Sequence, residues 1–360
     1  MSAAKSPSWP TIVLGGSGYV AGEFLRLVAL HPNLELAAVV STSQAGEPVA
    51  KTFGHLAPAY PDTVFESMET TVARLGEHSH WVVLSGAPHG AAAGVIDELL
   101  GAAEAAGVTL TVVDASADFR FADPSAYAAV YGHAHPAQAR LREFVCAVPE
   151  HAAVAGIGKP RHAAHPGCFA TTMLLALVPL AHSGLCEDAF FVSAITGSTG
   201  AGRTPRETTH HPVRQSNLFA YQVLEHRHAP EVRALVHAAT QRSIALNFVP
   251  HSGPFARGIH ATVFATPKAG VTQAQIDEAF AELYRGAHFV RLSKEPPRLK
   301  DIVATNYAAL SVKVANGAIA VCSVADNLTK GAAGGSIQWA NRLLGLPETT
   351  GLTATAGGWL

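Results

Sequence analysis

The sequence predicts two domains: an α/β domain on a doubly wound parallel sheet, and an α+β domain with a mixed or antiparallel sheet. Three observations carry this. At 360 residues the chain is longer than one hydrophobic core normally supports. Its first third alternates short apolar runs with stretches of helical spacing, the pattern of a parallel sheet covered on both faces. From about residue 168 onward, strand-like runs follow one another with few helices between them.

Composition narrows the class further. The chain is 48% hydrophobic and 14% charged, as expected of a core-rich enzyme, and its net charge of −2 suits neither a nucleic-acid nor an anionic-membrane partner. The four cysteines, at 146, 168, 186 and 322, have no paired spacing, which fits a reducing cytoplasm. The first ten residues are too weakly apolar for a signal peptide, and no apolar run reaches membrane-spanning length. A cytoplasmic protein is expected.

In chain order, residues 11–14 read as a buried strand that ends in Gly15-Gly16-Ser17-Gly18. A helix follows from Tyr19 to about Leu30, stopped by Pro32, and then a strand over Leu34–Val40. Residues 81–85 form the next strand, followed by the turn Ala87-Pro88-His89-Gly90 and an Ala-rich helix to about Gly101. Val108–Asp114 completes this series. Strands are expected later at Phe190–Ile195, Phe219–Leu224, Ile244–Val249, His260–Ala265, Ala308–Val314 and Ala318–Val324, with a helix at Gln273–Leu283. The last helix, about Ala333–Leu344, is expected to return to the first domain, giving domains of 1–165 with 331–360, and 166–330.

A glycine turn at the first strand–helix junction is the pattern of a Rossmann-type dinucleotide site. Gly15 permits the tight turn, Gly18 lets backbone approach a pyrophosphate, and the helix start supplies N–H donors. An NAD-preferring site places an acid at the end of the second strand. Here the residues are Val40-Ser41-Thr42-Ser43-Gln44, with no carboxylate before Glu47, and the expectation is NADP with Ser41 and Ser43 at the 2′-phosphate.

The second chemical centre is His165-Pro166-Gly167-Cys168-Phe169-Ala170-Thr171-Thr172, followed by an apolar run with helical spacing. Cys168 falls in the first turn of that helix, where backbone N–H groups and the positive dipole end stabilise a thiolate. Position alone leaves two readings open, a nucleophile and a buried structural thiol. Histidine is abundant, at 19 residues, with pairs at 133/135, 210/211 and 226/228. In His226-Arg227-His228-Ala229-Pro230-Glu231, alternate side chains would share a face if the segment is extended. No third and fourth ligand stands at a metal-binding spacing, so no metal is expected, and an acid–base role beside a thiolate is the alternative.

Seven motifs in order resemble the N-acetyl-γ-glutamyl-phosphate reductase family. They are Gly-Gly-Ser-Gly-Tyr-Val-Ala-Gly-Glu (15–23), Ala-Pro-His-Gly (87–90), Ser-Ala-Asp-Phe-Arg (116–120), the Cys168 motif, Gly-Ser-Thr-Gly-Ala-Gly-Arg (197–203), His-Arg-His-Ala-Pro-Glu (226–231) and Asp-Asn-Leu-Thr-Lys-Gly-Ala-Ala-Gly (326–334). The resemblance implies reduction of an acyl phosphate to a semialdehyde by NADPH through a cysteine thioester, in arginine biosynthesis. It implies Cys168 as nucleophile and His228 or His226 as acid/base. Cofactor contacts would come from Gly15, Ser17, Gly18, Tyr19, Val20, Pro88 and Asn327, and substrate contacts from Arg120, Ser198, Gly200, Arg203 and Glu231. It also implies a homo-oligomer, dimer or tetramer, acting on a small molecule.

Departures from the family's pattern are Ala21 at the usual third glycine, Val20 where a smaller residue is usual, and Thr196–Thr199 in place of the common Ser-Gly-x-Ser. His210-His211-Pro212 is similar to the sister enzymes of lysine biosynthesis, which reduce an aminoadipyl phosphate, whereas Arg203 fits the arginine-pathway version. An aspartate-semialdehyde type of dehydrogenase is the other alternative.

Overall fold

Residues 7–358 are described by the computed structural model, and they divide into two compact units. The first comprises residues up to 145, 159–165 and 336–353; the second comprises 146–158, 166–335 and the residues from 354.

The first unit is built on a six-stranded sheet. Its strands are β1 (Trp9–Leu14), β2 (Leu34–Val40), β3 (His80–Ser85), β4 (Thr109–Asp114), β5 (Phe144–Cys146) and β6 (His162–Ala164), in the order β2-β1-β3-β4-β6-β5. The pairs β1–β2, β1–β3, β3–β4 and β4–β6 are parallel. The helices are α1 (Tyr19–Val28), α2 (Val49–Thr52), α3 (Met68–Ala73), α4 (Ala92–Ala105) and α5 (Pro124–Tyr131). Ile12, Val13, Leu14, Val82, Val83 and Leu84 are fully buried, as continuous apolar runs must be in a sheet covered on both faces. The chain leaves β1 toward β2 on one side and returns to β3 on the other. That reversal opens a crevice at the carboxyl ends of β1 and β3, where such sheets bind ligands.

The second unit carries a mixed sheet of seven strands. They are β7 (Cys186–Thr196), β8 (Phe219–Ala220), β9 (Ala245–Ser252), β10 (Ile259–Pro267), β11 (Val290–Leu292), β12 (Ala308–Ala315) and β13 (Ala318–Ala325), in the order β11-β12-β13-β10-β7-β9-β8. Only β7–β9 and β11–β12 are parallel among the paired neighbours. Helices α6 (Cys168–Ser183), α7 (His211–Arg214), α8 (His228–Thr240) and α9 (Gln273–Leu283) belong here, and a π-helical turn, Thr329–Ala333, runs into α10 (Gly334–Leu343). The expected class, parallel α/β plus mixed α+β, is the class observed.

Helix α6 is the centre of the second core. Every residue from Phe169 to Ala181 is buried, an all-round apolar surface that only a central helix tolerates. It packs on α8, α9 and strands β7, β10 and β13. Phe169 meets Phe248 edge to face at 5.2 Å, and burying such a ring is worth about 2–3 kcal/mol. Pro179 interrupts the helix ladder, because it has no N–H for the carbonyl of Leu175. The Tyr284 hydroxyl donates to that carbonyl instead, at 2.6 Å.

Two expectations give way to local geometry. The strand expected over Phe219–Leu224 pairs only at Phe219 and Ala220, because Gln222 and Leu224 take left-handed backbone (φ 44° and 64°) that breaks a ladder. Residues 228–240, for which no element was named, form α8, so the extended arrangement considered for His226 to Glu231 does not form.

Buried imidazoles set a pH dependence. Burial lowers His151 and His226 in the second unit to about 4, and His162 in the first unit to about 4. Each is depressed below its unfolded value, so the unfolded chain binds more protons between about pH 6.5 and 4 and stability falls with pH. Asp114 in the first unit, raised to about 6 by burial, has the opposite sign and offsets His162, while burial also lowers His31, His80 and His135 there. In the second unit His151 and His226 together contribute a slope near pH 5 of about 2 kcal/mol per pH unit. Urea titrations at pH 7 and pH 5, followed by hydrogen exchange of the α6 amides, check this. Equal midpoints would mean that these rings are not desolvated.

Candidate active site

Gly167, at φ −58° and ψ 154°, is the extended residue before α6, and Cys168 is the first helical residue. No side chain caps this end and no acid lies in its first turn. The positive end of the dipole faces the half-buried Cys168 thiol, a setting that favours a thiolate, and it is shared with a carboxylate brought there from another helix.

Helix α8 begins beside it. Pro230 is tolerated because it lies in the first turn, where its missing N–H has no intrahelical role. One residue further, the wholly buried Glu231 accepts the Gly167 N–H through Oε1 at 2.7 Å. This bond ties the two helix starts together and brings the imidazoles to the Cys168 turn. His226 and His228 are both buried, with ring centroids 4.7 Å apart, and both lie edge-on to Phe169 at 5.7 and 6.2 Å.

The two histidines are not equivalent. His226 Nδ1 accepts the backbone N–H of His228 at 3.2 Å, and burial, with Arg227 adding to it, holds its ring neutral near pH 7. Its remaining proton is then on Nε2. Tyr221 lies against His226 at 5.7 Å, and its phenol is pushed up by burial first and by the charge of Cys168 second. Tyr221 is a site residue that sequence reasoning missed, since it stood inside an expected strand.

A second group of residues faces Cys168 from the loop after β13. Asp326, fully buried, accepts from Arg257 Nε at 3.0 Å and Nη2 at 2.9 Å, and from the N–H groups of Ala304, Leu328 and Thr329. The turn that follows is π-helical: Gly331 N–H reaches Asp326 O and Ala333 N–H reaches Leu328 O, both at 2.8 Å. The wide turn places Gly331 on Cys168, where a Cβ would stand 2.8 Å from Cys168 Cβ. Only glycine fits there. The sequence signal was present in the 326–334 motif, but Asn327 alone was read from it, and nothing local pointed to Arg257.

Asn327 is held at both ends of its carboxamide, accepting from Gly258 N–H at 2.7 Å and donating to Thr199 Oγ1 at 2.9 Å. It thereby fixes the 3₁₀ turn Ser198–Ala201, whose Ser198 and Thr199 N–H groups bond Phe255 and Ala256 carbonyls. Gly197 is required: a Cβ would lie 2.4 Å from Ala256 O. Ser198 is half-buried, and Gly200 and Arg203 are exposed.

The other expected residues lie in the first unit. Gly15 adopts φ +75°, and a Cβ there would meet Gly86 O at 2.5 Å, so the turns after β1 and β3 touch and bring Pro88 beside the glycine turn. Gly18 differs, for a Cβ there would meet only Gly15 O, at 3.6 Å. The space beside Gly18 is an open cradle at the start of α1, whose first turn, beginning with Tyr19 and Val20, carries no acid. Gly22, not position 21, makes the close packing contact, with a Cβ position 2.7 Å from the Phe53 ring. These features fit a dinucleotide pyrophosphate. Ser17 is half-buried at the turn.

At the end of β2, Ser41 is buried and Ser43 exposed. The fold brings one acid close, since Ser41 N–H bonds Glu66 O, but the Glu66 carboxylate is neutralised by Arg74 at 2.6 Å and accepts from Thr71. Arg120 is buried, and it donates through Nε to His165 O and through Nη2 to Ala115 O, so it anchors the residue from which the cysteine motif departs.

Comparison with known proteins bears on both units. Residues 11–154 match the semialdehyde dehydrogenase NAD binding domain, and residues 168–327 the semialdehyde dehydrogenase dimerisation domain. The N-acetyl-gamma-glutamyl-phosphate reductases of Rhodospirillum rubrum and Methanopyrus kandleri are 36% and 37% identical to this chain, each over 94% of it and 96% of their own length. Among solved structures, aspartate semialdehyde dehydrogenase II of Vibrio cholerae, complexed with ASA, shares the fold at TM-score 0.68 and 17% identity, over 94% of this chain and 99% of that one. The Candida albicans aspartate semialdehyde dehydrogenase with NADP superposes at TM-score 0.65 and 16% identity, over 93% and 98%. Among the described residues no helix is long and apolar enough to cross a membrane.

If the Glu231–Gly167 bond sets the Cys168 turn, Glu231→Ala should lower stability by about 1–3 kcal/mol, because it leaves a buried N–H without its acceptor. Glu231→Gln, which keeps an acceptor oxygen, should recover most of that loss in urea titrations. An alanine variant as stable as wild type would remove the bond from its anchoring role.

Proposed function

The chain belongs to the N-acetyl-γ-glutamyl-phosphate reductase family, and from that premise we propose how its residues reduce N-acetyl-γ-glutamyl phosphate to the 5-semialdehyde with release of phosphate. One observation carries the reading: Glu231 joins the start of the Cys168 helix to the start of the helix that opens with His228. A nucleophile, an imidazole and the N–H groups of two helix starts thereby share one corner of the second unit.

Cys168 attacks the acyl carbon, its sulfur forming the new bond as the C–O bond to phosphate breaks. The thiol proton passes to His228. His226 is assigned the supporting part, because its Nδ1 is committed to the His228 backbone and its ring stays neutral, so it cannot supply a proton at pH 7. Phosphate is a good leaving group and carries the electron pair away without further acid help.

The Gly15 to Gly18 turn would hold a nicotinamide dinucleotide, and that group would supply the hydride for the thioester carbon. The oxyanion that results on the Cys168 adduct is stabilised by first-turn N–H groups of α6, and losing one such donor elsewhere costs about 3 kcal/mol. When the adduct collapses, the carbon–sulfur bond breaks, the aldehyde leaves, and the proton held on His228 returns to the sulfur.

For the cofactor we propose NADP in preference to NAD. Support comes from Ser41 and Ser43 at the end of β2 and from Arg74, which neutralises the one acid there. For the substrate anions we propose Ser198, Gly200 and Arg203 on the 3₁₀ turn beside Asn327, with Arg120 holding the cysteine motif from behind. Asn327 serves the cofactor's nicotinamide end. A homo-oligomer acting in the cytoplasm is the proposed setting. The exposed rings Phe191 and Phe264, at 58% and 46%, are paired neighbours on one sheet face of the second unit and suit a partner copy.

Cys168→Ser should keep nucleotide binding and lose nearly all reduction of the acyl phosphate, to about one part in a thousand or less. Retention of more than a few per cent of the rate would take Cys168 out of the mechanism. A panel of semialdehydes assayed in reverse with phosphate checks the substrate, and a preference for the aminoadipyl compound would replace the glutamyl reading. Replacing both Ser41 and Ser43 with Asp should cut the NADP/NAD ratio of kcat/KM by about a hundredfold, equivalent to about 3 kcal/mol. An unchanged ratio would move the 2′-phosphate elsewhere.

A further inference from the structure

Four buried polar side chains of the second unit have no part in the chemistry above: Glu150, His151, Tyr284 and Lys330. Lys330 is 0% exposed and Glu150 2% exposed, and their ion pair is 2.5 Å long. Lys330 also lies over the Phe289 ring, 5.7 Å from its centroid. Buried ion pairs seldom add net stability, since desolvation offsets the attraction, and their best attested use is to fix one arrangement. What this pair fixes is the π-helical turn, because Lys330 is its second residue and Gly331, the next, lies on Cys168.

The neighbouring residue reaches the other side of the same corner. His151 Nε2 is 3.0 Å from the Tyr284 hydroxyl, which itself donates to Leu175 O in α6. The Tyr284 oxygen therefore accepts from His151, and its own proton occupies the carbonyl that Pro179 leaves without a ladder partner. The short turn Pro149–His151 thus holds the cysteine helix through His151 and the π-helical turn through Glu150. Two elements that must meet at Cys168 are referred to one fixed point.

We propose that Glu150, Lys330, His151 and Tyr284 are positioning residues that set Cys168 against Gly331, and hence set the direction in which its sulfur points. The proposal rests on the reading of Cys168 as nucleophile, but its test reads the thiol directly. A sulfur displaced by about 1 Å can lose about a hundredfold in rate while substrate still binds. Loss of positioning should therefore appear in kcat and in thiol reactivity, not in KM.

The experiment uses the full chain. Iodoacetamide labelling of Cys168 is followed by mass spectrometry of its peptide across about pH 6 to 10, in the range where thiols ionise. The variants are the double replacement Glu150→Gln with Lys330→Met, which removes both charges together, and Tyr284→Phe, which deletes one hydroxyl and keeps the ring. Both should shift the labelling midpoint or rate and lower kcat by about tenfold or more, with KM within about threefold.

A purely structural role predicts something else: lower melting temperature with wild-type labelling and wild-type kcat well below it. That result would overturn the proposal. If the double replacement does not fold, Tyr284→Phe decides by the same two readouts. An active Cys168→Ser variant would instead sink the nucleophile reading, whatever the labelling shows.

Discussion

A single hydrogen bond organises the reactive corner of the second unit: the Gly167 N–H on the buried carboxylate of Glu231. Gly167 and Glu231 are 64 residues apart in the chain, with the length of α6, β7, α7 and β8 between them. Through this bond, the residue before Cys168 and the residue three positions after His228 are fixed to one another. The bond is a charge-assisted one, and the carboxylate lies in the first turn of α8, where the dipole favours it. Both effects lower the cost of burying a charge at that point. Phe169, Phe248 and the two imidazoles then pack edge to face around the junction.

The opposite wall is built from charge as well. Asp326 gathers a guanidinium and three backbone N–H groups, which is enough to keep a fully buried carboxylate satisfied. It starts a turn that departs from α-helical geometry at the position where a glycine must touch Cys168. π-helical turns of this kind cost backbone regularity and recur at functional sites. Here the reason is visible: an α-helical turn would not bring Gly331 N–H back to Asp326 O, five residues earlier.

Much of this architecture could be read from the chain. The parallel order around β1 follows from buried apolar runs alternating with helical spacing, and Leu34–Val40 and Gln273–Leu283 have the bounds expected. In the structure Thr272 and Gln275 form a capping box at the start of the second of these. Cys168 was placed at a helix start because Pro166 and Gly167 break what precedes it. What could not be read was anything depending on long-range pairing. Helix α8 carries a proline in its first turn, and no helix was read there from the sequence. Gln222 and Leu224 look like strand residues and take left-handed backbone only because the chain must turn after β8. Arg257, Glu150 and Tyr284 lie 69, 180 and 109 residues from the groups they hold, and no local pattern announces such partners.

The electrostatics of the corner explain why these long-range devices are needed. Two helix starts converge there, and their N–H groups favour negative charge: the thiolate, the acyl phosphate and the oxyanion that follows it. The same field would attract any nearby carboxylate, and a free acid would cancel it. Each buried acid here is tied to a partner, Asp326 to Arg257, Glu150 to Lys330 and Glu231 to the Gly167 N–H at the start of α6 itself. The field that remains is useful only if the sulfur sits in one place within it. Burying three carboxylates with their partners achieves both at once, since a satisfied buried charge is costly to move and so holds its segment still.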